Sequence, residues 1–121
     1  PYLAVFVTHW CPHCHGELPR LVTWDSGLEP PVRVIGISTG VDPSAATYPP
    51  SEWFAAEGWP WAVIADEDQG AGAAGTIASA YGVSGYPAFV LVGADGTVLW
   101  RSSGEMEADE LTAAVRSAVG G

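Results

Sequence analysis

Thr8-His9-Trp10-Cys11-Pro12-His13-Cys14-His15 joins an apolar run, Tyr2 to Val7, to what the spacing predicts as a helix, and it holds both cysteines of the chain. A Cys-x-x-Cys pair that opens a helix favours the thiolate of its first sulfur. Unpaired backbone N–H groups and the positive end of the helix dipole point at Cys11 and stabilise negative charge there. Cys14 lies one turn further on the same face, placed to attack a mixed disulfide formed on Cys11. The pair therefore reads as a dithiol/disulfide switch. Pro12 fits the first turn, where its missing N–H costs nothing, and His13, when protonated, adds positive charge near the Cys11 sulfur.

Outward from this stretch, Tyr2 to Val7 is continuous and β-branched, as in a strand buried on both faces of a sheet. Leu18, Leu21, Val22 and Trp24 keep a roughly helical spacing, so the helix is expected to run from Cys11 to about Trp24, kinked at Pro19 and ended by Ser26-Gly27. Val32 to Ser38 is a second buried strand, which makes the first third of the chain a parallel βαβ unit. A Pro/Ser/Thr-rich loop, 40–50, leads to a short helix capped by Ser51 and ending at Glu57, and Trp61 to Ala65 is a third strand. Asp66-Glu67-Asp68 precedes a predicted helix running to about Tyr81. Ala88 to Val92 and Val98 to Trp100 are strands joined through Ala94-Asp95-Gly96, and Glu107 to Val119 is an amphipathic helix.

At 121 residues the chain is expected to form a single domain, 1–121, and its 48% apolar content with six Trp excludes disorder. A net charge of −10, with four arginines and no lysine, argues against nucleic acid or an anionic membrane surface as partner. Two cysteines three apart cannot build a disulfide framework. No run is long enough to span a bilayer, and because the sequence opens directly on a strand, there is room for an export signal or membrane tether upstream of Pro1.

The order strand, Cys-x-x-Cys helix, strand, then hairpin and final helix resembles the thioredoxin fold, and the residues are similar to its TlpA/ResA-like branch. The shared pattern is Trp10-Cys11-x-x-Cys14-x-x-Glu17-x-Pro19, an inserted helix and strand over about 51–65, Tyr81-Gly82-Val83-x-Gly85-Tyr86-Pro87, and Asp95-Gly96. It spans nearly the whole chain. The resemblance implies an α/β fold whose mixed central sheet is flanked by helices. It also implies a cis Pro87 facing the cysteines and a substrate groove bordered by Trp10, Pro12, His13 and Tyr86. Thiol-disulfide exchange with protein substrates outside the cytoplasm would follow, by a monomer without cofactor that is recharged by a redox partner. Two departures matter. Thioredoxin's buried aspartate, six residues before the first Cys, is Val5 here, so Glu17 is the expected proton acceptor for Cys14. The Pro12-His13 dipeptide is that of the DsbA oxidants, so scaffold and dipeptide point in opposite redox directions.

Three other readings compete. Cys11-x-x-Cys14-His15 also fits covalent haem attachment with His15 as ligand, although the only methionine, Met106, starts the last helix. His9, Cys11, His13, Cys14 and His15 crowd possible metal ligands into seven residues, yet no distant ligand pair exists to complete a structural zinc site, and no metal is expected. His9 and His15 are expected to be solvated. A non-catalytic thioredoxin-like binding domain is the third alternative, against which the retention of Cys11, Cys14 and Pro87 argues.

Overall fold

The computed structural model describes residues 1–120 and contains nine elements. β1 (Tyr2–Val7) leads into α1 (Pro12–Leu21), β2 (Arg33–Ser38), α2 (Pro50–Ala56), β3 (Ala62–Ala65), α3 (Thr76–Ala80), β4 (Ala88–Val92), β5 (Val98–Ser103) and α4 (Ala108–Gly120). The strands form one mixed sheet in the order β3-β2-β1-β4-β5. β1 runs parallel to β2 and antiparallel to β4, so its apolar run is central and covered on both sides. Leu3, Val5 and Val7 point to a core built with Leu18 of α1, Phe54 of α2 and Leu111 of α4. Ala4 and Phe6 point to the other face, under Ala78 of α3. This is the helix-flanked mixed sheet expected from the sequence, with α2 and β3 as the inserted pair.

The sheet order places the cysteines. β1 ends at Val7, so the turn to Cys11 lies at the carboxyl edge of the parallel strands. β4 runs the opposite way and enters the sheet at that same edge, where Ala88 pairs with Phe6. Pro87, one residue earlier, therefore faces the Cys-x-x-Cys turn across the edge, although 73 positions separate it from Cys14. The β4–β5 hairpin turns where expected, with Gly96 at φ 87° and its N–H donating to Gly93 O at 2.9 Å.

Three helix boundaries differ from the expectations. α1 stops at Leu21 and not at Trp24, whose indole N–H instead donates to Thr112 Oγ1 of α4 at 2.9 Å. α2 begins at Pro50 after Pro49, and Ser51 does not cap it. α3 is only five residues long, because Asp66 folds back across the 66–75 loop instead of starting a helix. Its Oδ1 accepts the Ile77 N–H at 2.7 Å and its Oδ2 accepts the Ala78 N–H at 2.9 Å and the Thr39 hydroxyl at 3.0 Å. The loop can pass this closely because residue 75 is glycine; a Cβ there would lie 2.3 Å from Asp66 Cγ.

Asp66 is thus a helix cap supplied from a distance. Burial pushes its carboxyl up, but the bonds from Ala78, Ile77 and Thr39 outweigh that and leave it below the ordinary carboxylate value. Asp66→Ala is expected to lower stability by about 1–2 kcal/mol, the usual worth of a cap with charge. The loss has a pH signature. With the folded value depressed, the contribution is complete above the unfolded value of about 4 and vanishes as pH falls through the folded one. Denaturant midpoints of wild type and Asp66→Ala should converge in acid; a gap that persists at pH 2 would contradict the assignment.

Candidate active site

Cys11 occupies the cap position of α1 in extended conformation (φ −79°, ψ 123°), and its carbonyl accepts the Cys14 and His15 N–H groups at 3.1 Å each. Its sulfur is half-buried and faces the Tyr86 carbonyl, 3.9 Å away, to which the thiol donates. Cys14 is 0% exposed. Burial pushes its thiol up to about 12; the Thr8 backbone opposes this, and the neighbouring Cys11 adds to it. The buried Thr8 hydroxyl makes no well-formed hydrogen bond among the described residues. At neutral pH such a thiol is almost wholly protonated. A resolving cysteine held this way needs a base.

Glu17 is the nearest carboxylate along the helix, and it is 1% exposed, so it is no solvated surface residue. Desolvation raises its pKa; the bonds from the Met106 N–H and from Arg20 only partly compensate. Oε1 accepts the Met106 N–H, and Oε2 accepts Arg20 Nε at 3.1 Å. Cys14 and Glu17 share a face of α1 without a direct hydrogen bond between them among the described residues. The Tyr86–Pro87 peptide is cis, and the Pro87 carbonyl accepts the Gly104 N–H at 2.7 Å. Tyr86 is half-buried between the two cores, and burial raises its phenol pKa.

Around the cysteines, Trp10 stays partly exposed while its indole N–H donates to Gly40 O at 2.6 Å, which fixes the ring against the 40–50 loop. Pro12 opens α1 and is exposed. His13 is 70% exposed, and its Nδ1 meets Glu105 Oε2 at 2.9 Å instead of bonding the sulfur. Glu105 also accepts Arg20 Nη2 at 2.6 Å; these two partners hold its carboxyl below the usual range.

The expectation that His9 and His15 are solvated is wrong. His9 is buried: Nε2 accepts the Asp42 N–H at 3.0 Å, so the neutral ring carries its proton on Nδ1 and donates to Thr47 Oγ1 at 2.8 Å. Burial lowers its pKa. His15 stacks on Trp53 at 5.1 Å, and its Nε2 donates to His9 O at 2.7 Å. Both rings tie the cysteine turn to the loops around it. The atom of His15 that haem ligation would use is engaged, and the three imidazoles point to three different partners, which fits neither a haem nor a shared metal site.

The arrangement leaves one reachable sulfur at a helix end, a second sulfur sealed behind it, and a backbone carbonyl beside the first. The Redoxin family profile matches residues 1–117. The chain belongs to the Redoxin family. No curated protein matches it. Among solved structures it is similar to StoA from Bacillus subtilis (20% identity over 94% of this chain and 81% of that one, TM-score 0.71). MTB dsbF gives 25% identity over 97% and 79%, with a TM-score of 0.74. The exposed lipoprotein thioredoxin Etrx1 of Streptococcus pneumoniae gives 18% over 96% and 83%, also at 0.74. As a Redoxin with an intact cysteine pair, the chain is a thiol-disulfide oxidoreductase.

Sequence reasoning did not reach Glu105, Arg20 or the Met106 N–H. One signal was available: Gly16 sits in mid-helix, where glycine is unfavourable, between His13 and Arg20 at helical spacing, and an unexplained helix glycine points to something lying close against it.

Proposed function

We propose that this Redoxin exchanges its Cys11–Cys14 dithiol/disulfide with protein substrates outside the cytoplasm, that Glu17 is the proton acceptor for Cys14, and that a separate redox partner regenerates the pair. The observation that carries the reading is the asymmetry of the sulfurs: Cys11 half-buried at the helix end beside Tyr86–Pro87, Cys14 fully enclosed. The Tyr86 carbonyl faces the Cys11 sulfur, Trp10, Pro12 and His13 flank Cys11 along the chain with exposed side chains, and these four residues would contact the substrate chain. The likeness to a protein described as an exposed lipoprotein supports the compartment.

In the reductive direction the Cys11 thiolate attacks one sulfur of a substrate disulfide, and the other leaves as thiolate. The Cys14 thiol loses its proton to Glu17 and attacks the Cys11 sulfur, closing the protein disulfide and releasing the reduced substrate. The oxidative direction reverses these steps. Charge that stabilises the Cys11 thiolate stabilises the reduced form and makes the disulfide a stronger oxidant. The helix end and His13 act this way, whereas an ionised Glu17 opposes them. The reduction potential is accordingly expected between the thioredoxin value of about −270 mV and the DsbA value of about −120 mV. Equilibration with glutathione measures it, and replacing Pro12-His13 by Gly-Pro should lower it. A wild-type potential at or below about −270 mV would remove the dipeptide argument and make the protein a dedicated reductase.

A further inference from the structure

The β5–α4 turn, residues 104–107, lies along one face of α1 and reaches the dipeptide between the cysteines. His13, Gly16, Glu17 and Arg20 share that face by their spacing of three and four. Glu105 bridges its two ends, with Oε2 at 2.9 Å from His13 Nδ1 and Oε1 at 2.6 Å from Arg20 Nη2. Arg20 in turn contacts the buried Glu17 at 3.1 Å and the exposed Glu107 at 3.5 Å. Gly16 makes the room: a Cβ there would lie 2.6 Å from Glu105 Oε1. Glycine in a helix interior is less favourable than alanine, so α1 gives up stability where the carboxylate lies.

We propose that Glu105 is a positioning residue that sets the redox poise of the Cys11–Cys14 pair through His13. It holds the imidazole against the β5–α4 turn and neutralises its charge, so that a protonated His13 stabilises the Cys11 thiolate less than an unpaired imidazolium would. The charged groups around this contact are Glu105 and Glu107 on the turn and Arg20 and Glu17 on α1; among the described residues only Glu105 touches His13. The inference rests on the thiol-disulfide reading above and concerns its tuning.

The reaction that reads it is dithiol plus oxidised glutathione giving protein disulfide plus two reduced glutathiones, in which the protein gives up two electrons and two protons. Its equilibrium constant is measured at pH 7 for wild type, Glu105→Gln, His13→Ala and the double variant. Glu105→Gln is expected to lower the constant about tenfold, equivalent to about 30 mV. In the His13→Ala background Glu105→Gln should change the constant by less than twofold. Gly16→Ala, which crowds the Glu105 carboxylate from the helix side, should shift the constant in the same direction as Glu105→Gln without lowering the melting temperature. An equal shift with and without His13, or none in Glu105→Gln, overturns the proposal while leaving the oxidoreductase reading intact. A wild type that does not equilibrate with glutathione overturns both.

Discussion

Cys14→Ser is expected to stop the reaction after its first step, with the mixed disulfide accumulating on Cys11 and multiple turnover falling by about 10³-fold or more. Cys11 keeps its place at the helix end in this variant, so attack on a substrate disulfide proceeds, but nothing remains behind it to resolve the bond. Cys11→Ser should show neither attack nor trapping. Alkylation separates the same two roles in the wild type: a small iodoacetamide at pH 7 should modify the folded protein once, at Cys11. Cys14, enclosed and titrating near 12, should react only on unfolding. Mass spectrometry of peptides decides the point. Equal labelling of both sulfurs in folded protein would refute the asymmetry on which the mechanism stands. The Cys14→Ser trap, exposed to the proteins of its own compartment, would also identify the substrates.

Glu17→Gln is expected to slow release of the mixed disulfide by about 10²-fold at pH 7 and to leave the first attack unchanged, since positioned general bases contribute 10²–10⁴. Stability should respond in the opposite sense. Burial raises the Glu17 pKa in the folded state, so its contribution is complete below the unfolded value of about 4.3 and is lost as pH rises through the folded value. Gln carries no charge at any of these pH values. The variant should therefore be no less stable than wild type at neutral pH, and its melting temperature should vary less between pH 4 and pH 7. Single-turnover kinetics with a peptide mixed disulfide on Cys11, taken from pH 6 to 8, test the first expectation. A resolution rate equal to wild type throughout would make Glu17 a purely structural acid, held by Arg20 and Met106.

What was legible in the sequence follows the range of the interactions concerned. β1, β2 and β4 are runs of apolar residues whose burial is set by their own side chains, and the structure places them within a residue of the expected bounds. Cys11 at the helix start follows from the local pattern alone. α3 was overestimated because a carboxylate that reads as the first turn of a helix, Asp66, is instead held by Ile77 and Ala78, 11 and 12 positions further on, and by Thr39, 27 positions before it. His9 and His15 were misread for a related reason: a polar ring looks solvated until the loop that satisfies it is known, and Thr47 and Asp42 lie more than thirty positions away from His9. Gly16 signalled that something lies against α1, but not that it is Glu105. Glu105 meets His13 across 92 positions, and no periodicity connects the two.

The antiparallel entry of β4 beside β1 bears on how the protein is made. Synthesis delivers both cysteines first, while Tyr86, Pro87 and the strand that pairs with Tyr2 to Phe6 come more than seventy residues later. Until β4 docks, Cys14 lacks the cover of Phe89 and Leu91, with which it shares a core. The nascent β1–α1 segment therefore presents two comparable thiols, and non-local pairing of this kind forms slowly. The chemical distinction between nucleophile and resolving cysteine is a late product of folding, and a newly made chain passes through a period in which either sulfur can be captured by an oxidant or by another chain.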